Sequence, residues 1–414
     1  MRDDAPLDLV IYGASGYTGR LVAEYVQQTY GDTLKWGLAG RTQAKLEAVR
    51  NELGISQNVP ILTADCDDAD ALRKMAMQAK VVATTVGPYQ KYGATLLGLC
   101  AETGTDYVDL CGEPNFMSDM IKAHHETAQK NAARIIFSCG FDSIPFDLGV
   151  QFLAYEGHKA IGHRGAQGPF DSMATRMLAM QGSFSGGTAA SMTATMEALK
   201  QKPELAALLT NPFALTEKGE GAEQPPMNEA RQDESVQSWL APFVMAPINT
   251  KNIHRSNELM GYPYGEKLVY DEMTCTGAGD AGKARAENPN AQNPFGENLP
   301  KPGEGPSKEE REAGFYKILI VGYRNDKIKM SALVTGDKDP GYGSTSKMLT
   351  ESALCLKESC WGMDGGIYTP ASSMGITLRY RLTQKAGLTF ELLDQGPGPA
   401  RKAVQAAFAS PQNQ

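Results

Sequence analysis

Glycines at positions 13, 16 and 19 follow a short apolar run, Leu9-Val10-Ile11-Tyr12, and lead into a helical pattern from Arg20 to Gln28. A strand that becomes a helix across spaced glycines is a phosphate-binding device. The turn leaves no room for a Cβ at Gly13. A side chain at Gly16 would keep a pyrophosphate from the backbone, and Gly19 lets the helix lie close on the strand. The helix start then offers free N–H groups and about half a positive charge to the phosphates. Gly13, Ala14, Ser15, Gly16, Tyr17, Thr18 and Gly19 are therefore the candidate residues for a dinucleotide. The next apolar run, Leu34 to Gly40, ends in Arg41 and meets no Asp or Glu before Leu46. An NAD site places a carboxylate there for the ribose 2′-hydroxyl. Arg41 and Lys45 instead suit a 2′-phosphate, through charge-assisted bonds of about 1.5–3 kcal/mol, so NADP (as NADPH) is the expected cofactor. Asp65 closes the third run, Pro60 to Ala64. It has two readings: an acceptor for an adenine amino group, or, with Asp67 and Asp68, a cap on the helix that begins at Ala69.

The chemistry that such a cofactor serves needs residues at the ends of later strands. The fourth run empties into Val86-Gly87-Pro88-Tyr89-Gln90-Lys91-Tyr92-Gly93. In a doubly wound fold this loop lies by the nicotinamide, with Val86, Gly87 and Pro88 as its wall. Tyr89 or Tyr92 can donate a proton or close the pocket; either can equally be packing, since tyrosine is a frequent amphipathic filler. The fifth run empties into Cys111-Gly112-Glu113-Pro114, where Cys111 and Gly112 join the cofactor set. The sixth empties into Cys139-Gly140-Phe141-Asp142-Ser143-Ile144-Pro145. The Asp142-Ser143 pair can cap the helix that Pro145 opens, a role compatible with a pocket wall. Farther on, Ser185 and Thr188 stand at a helix start and can bind a carbonyl oxygen or a phosphate, or simply cap that helix. His124 and His125 precede Glu126, but Gln129 breaks the zinc pattern H-E-x-x-H, and no metal site is expected.

These residues need a scaffold that gathers strand ends. Residues 9 to 139 alternate short apolar runs with helical patterns, which implies a parallel, doubly wound α/β sheet of Rossmann type. Ligands on such sheets sit at the carboxyl ends of the strands. From about 170 the pattern becomes mixed, an inserted α+β substrate domain. Strands are expected at Phe170–Met180 and Lys267–Met273, with a hairpin from Phe315–Tyr323 and Lys327–Thr335. Residues 217 to 235 and 277 to 314 read as loops, the latter a long surface excursion. Helices return at Ser344–Glu358 and Pro370–Gln384, a strand follows at Leu388–Leu393, and the last residues read as frayed. The expected division is 1–150 for the nucleotide domain, 151–340 for the substrate or dimerisation domain, and 341–400 returning to the nucleotide domain.

Bulk properties exclude several classes. Net charge is −8 across 414 residues, with no basic stripe, which argues against nucleic acid as a partner. No run of about 18 apolar residues exists to span a membrane, and the N-terminus lacks an apolar signal core. Seven scattered cysteines without a C-x-x-C pair read as reduced thiols of a cytoplasmic protein.

The chain resembles the saccharopine dehydrogenase-like oxidoreductases. The likeness rests on Gly-Ala-Ser-Gly-Tyr-Thr-Gly (13–19), Ala-Gly-Arg (39–41), Val-Gly-Pro-Tyr-Gln-Lys-Tyr-Gly (86–93), Tyr-Val-Asp-Leu-Cys-Gly-Glu (107–113) and Cys-Gly-Phe-Asp-Ser-Ile-Pro-Phe-Asp-Leu-Gly (139–149). Ser-Phe-Ser-Gly-Gly-Thr (183–188), Ala-Pro-Ile-Asn-Thr (246–250) and Pro-Gly-Glu-Gly-Pro-Ser (302–307) resemble the branch of trans-acting enoyl reductases of mycobacterial lipid synthesis. The resemblance implies an NADP-type Rossmann domain, hydride transfer from NADPH, and a substrate domain that can also form a homodimer. Saccharopine reductases carry Gly-Gly-Leu-Pro-Ala-Pro where this chain has Gly186-Gly187-Thr188-Ala189-Ala190-Ser191, so a different, more apolar substrate is expected. The leading expectation is reduction of an α,β-unsaturated (enoyl) thioester or related lipid or polyketide intermediate. Ser185 or Thr188 would polarise the carbonyl, and Tyr89 or Tyr92 would supply the proton. One alternative is a low-turnover NADP-binding protein associated with lipid. Another is an imine-reducing amino-acid dehydrogenase, for which Arg164, Arg176 and Arg255 would have to converge on substrate carboxylates.

Overall fold

In the computed structural model, residues 4–162, 165–182, 186–288, 303–360 and 362–409 are described. The first strand, β1 (Leu7–Tyr12), is buried along its whole length, as a strand covered by helices on both faces must be. It pairs in parallel with β2 (Trp36–Gly40) on one side and β4 (Ala79–Thr84) on the other. With β3 (Ile61–Thr63), β5 (Asp106–Val108) and β6 (Arg134–Ile136), the strands run in the order 6-5-4-1-2-3. Helices cover both faces: Tyr17–Thr29 and Thr345–Ser359 on one, Ala69–Ala76, Ala94–Thr103 and Pro114–Lys130 on the other. This is the doubly wound α/β sheet that the alternating pattern implies.

A second sheet is built from β7 (Ser172–Gln181), β8 (Arg231–Asp233), β9 (Ser238–Pro242), β10 (Val269–Gly277), β11 (Phe315–Arg324) and β12 (Lys327–Gly336). Two further strands come late in the chain. β13 (Gly366–Tyr368) extends the parallel sheet beside β6, and β14 (Leu388–Leu392) extends the second sheet beside β12. The second sheet runs 14-12-11-7-10-9-8 and is antiparallel except between β7 and β10. The β11–β12 hairpin turns at Asn325 and Asp326, both with positive φ, as a tight hairpin turn requires.

The expected boundaries 1–150, 151–340 and 341–400 do not coincide with the two sheets. The helix Ile144–Ile161 crosses from one to the other. Its Gly149 lies so close on β11 that a Cβ there would stand 2.2 Å from Ile320 Cδ1. Past 341, the helix Thr345–Ser359 and β13 do return to the nucleotide sheet, but β14 joins the second. The expected frayed tail is the helix Pro397–Ala409, which sets Ala400, Val404 and Ala407 into the core of the second sheet. Alanines at that spacing bury little area each, so the amphipathic signal was faint. The single helix expected over Pro370–Gln384 is two, Pro370–Ser373 and Gly375–Lys385. Gly375 has φ +40° and sits against Gln151. The loop expected at 217–235 contains β8, and the excursion 277–314 holds the helices Gly279–Ala286 and Lys308–Ala313.

Between the sheets lies the helix Ala246–Leu259, polar in sequence yet buried on nearly every side. Several of its side chains are paired across to neighbouring elements: Asn249 Nδ2 donates to Glu272 (2.6 Å), Asn252 Nδ2 to Ser143 Oγ (2.5 Å), and Ser256 Oγ to Asp147 (2.6 Å). Buried polar groups paired this way fix one relative placement of the elements they join.

Candidate functional site

The turn after β1 shows three glycines with three different surroundings. Gly13 has φ +92°, and a Cβ on it would lie 2.8 Å from Thr85 Oγ1 and Val86 Cγ2. At Gly19 a Cβ would lie 2.1 Å from Gly13 O, so helix and turn touch backbone to backbone. At Gly16 the nearest atom is Gly13 O at 3.2 Å, with nothing else within 4 Å. Gly16 thus faces open space at the start of the helix Tyr17–Thr29, whose N-cap makes no side-chain bond. That is the cradle a pyrophosphate needs, and the residues present fit one. Ala14 is fully buried beneath it, and Ser15 is half-buried.

Arg41 and Lys45 are exposed at the end of β2, and among the described residues neither forms an ion pair. Asp65, at the end of β3, accepts from Asp67 N (3.2 Å) and from the Cys66 thiol, and its carboxyl is held below the usual range, chiefly by the Asp67 N–H. The cap of the following helix is Asp68, which accepts from Ala71 N (2.9 Å). Asp65 is therefore left at the strand edge, near Arg41.

The ends of β4, β5 and β6 open on a cleft of about 460 Å³ that runs on between the two sheets. Thr18, Thr85, Gly87, Gly112 and Asp142 line its nucleotide side. Its far wall is apolar: Met180, Met192, Met196, Phe243, Met245 and Ile248. The helix Gly186–Gln201 supplies Thr188 and Ser191. Thr188 Oγ1 lies 3.0 Å from the hydroxyl of Tyr342, which sits on the turn Pro340–Ser344 ahead of the helix Thr345–Ser359. Asp339 caps that turn, accepting from Tyr342 N (2.9 Å) and Gly343 N (2.7 Å). Among the described residues, the charged groups lining the cleft are Glu113 and Asp142, with no Lys or Arg.

The expected reactive residues separate. Tyr89 lines the cleft but is buried in the core, its hydroxyl donating to Thr84 O (3.3 Å) and accepting from Leu110 N (3.1 Å). Burial pushes its phenol far above its ordinary value, and both bonds make it a brace between two loops. Glu113 completes that brace, accepting from Tyr89 N (2.9 Å) and Gln90 N (2.8 Å). Tyr92 is 43% exposed and does not line the cleft. Ser185 lies outside the described residues. Thr188 is in place. Val86 packs on Gly13, and Pro88 is buried at the start of the short helix Tyr89–Tyr92. Cys111 is fully buried, its N–H donating to Asp109 (2.9 Å) and its carbonyl accepting from Ser138 Oγ (2.6 Å), so Gly112 alone of that pair faces the cleft.

The arginines proposed for a carboxylate-binding pocket do not converge. Arg164 lies outside the described residues. Arg176 is locked in the second sheet against Asp233 (3.0 Å) and Asp271 (2.8 Å). Arg255 is buried and donates to the carbonyls of Leu215 (2.6 Å) and Ile367 (2.7 Å). Sequence reasoning passed over Tyr342 and the methionine wall. The turn residues Asp339-Pro340-Gly341 were a usable signal for the first; nothing local marks the second, because Met180 sits on a strand, Met192 on the helix that follows it, and Met245 far along the chain.

Comparison with known proteins bears on the family and the fold. The model of the saccharopine dehydrogenase NADP-binding domain matches residues 9–136, the span from β1 to β6. A trans-acting enoyl reductase of Mycobacterium ulcerans is 34% identical, over 91% of this chain and 96% of its own. A protein of Mycobacterium tuberculosis given the same name provisionally is 38% identical, over 91% and 95%. Among solved structures, the yeast saccharopine dehydrogenase (L-Glu forming) from Saccharomyces cerevisiae superposes with a TM-score of 0.51 at 12% identity, covering 94% of this chain and all of its own, a likeness of fold. The chain belongs to the saccharopine dehydrogenase-like family of NADP-dependent oxidoreductases, in the branch that holds the trans-acting enoyl reductases.

Proposed function

We propose that the protein reduces the carbon–carbon double bond of an α,β-unsaturated acyl thioester. The observation that carries this reading is the cleft: an apolar, methionine-rich wall facing the cofactor turn, with no cation among the described residues of its lining. An acyl chain is held by such a wall through burial of its methylenes, about 0.8 kcal/mol each. Methionine side chains adapt to chains of different shape. A dicarboxylate or amino-acid substrate would need cationic partners there, which disfavours the imine-reducing alternative.

The backbone of Gly13 to Gly19 would hold the pyrophosphate, Arg41 and Lys45 the 2′-phosphate, and Asp65 the adenine edge. Gly87, Pro88 and Gly112 would wall the nicotinamide. NADPH, when bound, supplies the hydride. The paired hydroxyls of Thr188 and Tyr342 would donate to the thioester carbonyl oxygen and polarise the double bond, an effect worth about 10²–10³ in rate for one well-placed donor. The apolar wall would keep water from the reacting carbons. Purified protein is expected to consume NADPH with 2-enoyl thioesters and not with the imine mixtures of saccharopine formation. The reverse preference would replace this reading with the amino-acid dehydrogenase.

A further inference from the structure

Asp142 ends the loop after β6 and lines the cleft opposite Gly112. A Cβ placed on Gly112 would lie 3.5 Å from Asp142 Oδ2, so the absence of a side chain there leaves the carboxyl open to the cleft. The capping role that its position offers is not taken. Ser143 is the N-cap of the helix Ile144–Ile161, it makes no side-chain cap bond, and its hydroxyl accepts from Asn252. Among the described residues no hydrogen bond or ion pair reaches the Asp142 carboxyl. Its buried neighbours are different. Asp109 accepts from Tyr107 Oη, Cys111 N and Ser138 N (2.9, 2.9 and 3.0 Å). Asp147 accepts from Ser256 Oγ and Ala371 N (2.6 and 2.8 Å). Glu113 accepts two backbone N–H groups. One acid of this cluster is left over, and it is the one that faces the substrate space.

Resting on the enoyl reading above, we propose that Asp142 is the proton donor to the substrate α-carbon. As hydride reaches the β-carbon, the electron pair of the double bond moves toward the carbonyl held by Thr188 and Tyr342. The Asp142 O–H bond breaks and an α-carbon C–H bond forms, NADPH having been oxidised to NADP⁺. Water then reprotonates the carboxylate. The surroundings suit an acid rather than a carboxylate: burial pushes Asp142 up to about 6. Cys111, from the loop after β5, lies within electrostatic reach of it, and the titratable groups that line the cleft with it are Glu113 from the same loop, Tyr89 from the loop after β4, and Tyr342 from the turn at 340–344. None of these is a cation that would favour its ionised form. Tyr89, the donor expected from sequence, has its hydroxyl committed to backbone partners.

The test is Asp142→Asn, with kcat measured across pH 5 to 9 on a 2-enoyl thioester and NADPH affinity measured separately by its fluorescence. Wild-type kcat should fall as pH rises above the carboxyl's pKa. Asp142→Asn should lose about 10²–10⁴ in kcat, lose that pH limb, and bind NADPH within about twofold of wild type, as a residue outside the phosphate cradle should. Full-rate turnover with an unchanged limb overturns the proposal and leaves the enoyl reading standing. Absence of wild-type turnover on every 2-enoyl thioester overturns both. If Asp142→Asn loses NADPH binding through misfolding, Asp142→Glu decides: a displaced limb supports the proposal, and an unmoved one overturns it.

Discussion

Gly16 and Gly19 are indistinguishable as letters, yet one keeps space for a ligand and the other lets two backbones touch. A Cβ at Gly19 would meet Gly13 O at 2.1 Å, whereas Gly16 opens outward. Arg41 is the companion at the next strand end, exposed and in no ion pair among the described residues. Arg41→Glu should weaken NADPH binding about 10- to 100-fold, the worth of one charge-assisted phosphate contact, while NADH binding changes far less. Titrations of both cofactors measure this, and an unchanged ratio would remove Arg41 from the site. The glycines and Arg41 were legible because their chemistry is local to one turn. Tyr89 was legible as a cleft residue but not in its role, since Thr84 O and Leu110 N engage its hydroxyl through a fold that spacing does not reveal. Asp142 was readable as a pocket wall. Its lack of partners was not, because that depends on Ser143 being occupied by Asn252 from a helix more than a hundred residues away.

At the scale of elements, two segments tie cofactor turn to substrate cleft. Residues 304–311 lie on the cofactor turn: the Tyr17 hydroxyl donates to Pro306 O, Arg311 Nη1 donates to Tyr17 Oη (3.1 Å), and Gly305 fits against the Tyr17 ring. The Tyr17 ring in turn meets Tyr342 edge-on at 5.1 Å. The sequence shows this stretch as the end of a surface excursion, since its contacts are made by backbone and by one glycine rather than by an apolar pattern. The helix Ala246–Leu259 is the other case. Periodicity could not find it because its buried side chains are polar, and its partner Glu272 lies on β10. Burial pushes Glu272 up to about 8, against hydrogen bonds from Asn249 and Tyr270. Its pKa in the folded chain is therefore above the unfolded value of about 4.3. The folded state keeps a proton that the unfolded chain releases, so this group's contribution is complete below that value and is lost as pH rises toward 8. The loss is up to about 1.4 kcal/mol per pH unit. Melting curves at pH 5, 6.5 and 8 should show Glu272→Gln gaining on wild type as pH rises; parallel curves would mean that Glu272 ionises normally.

At the scale of the molecule, two sheets enclose one cleft. The parallel sheet was legible in outline, because each of β1 to β6 is a short apolar run followed by a helical pattern, whereas the late strand β13 was not. In the second sheet β7, β10, the hairpin and β14 were legible as strands, whereas β8 and β9 were not. β14 and the alanine-bearing terminal helix were misplaced because what assigns them is pairing with β12, for the strand, and packing on β10, β11 and β12, for the helix, contacts distant in sequence. The cleft itself is a product of that assembly: Met180 from β7, Met192 and Met196 from the helix Gly186–Gln201, and Phe243 and Met245 from the approach to Ala246 meet the turns of the nucleotide sheet. Among the described residues no helix is long and apolar enough to cross a membrane, and the cleft wall carries the exposed Met192 and Met196. The central claim is that cofactor turn and apolar cleft form one site for reduction of a conjugated double bond. Turnover of a 2-enoyl thioester with NADPH deuterated at nicotinamide C4, followed by mass spectrometry of the product, tests it most directly. A saturated thioester carrying the deuterium at its β-carbon is the predicted result; deuterium at the carbonyl carbon, or NADPH oxidation that leaves the double bond intact, would contradict it.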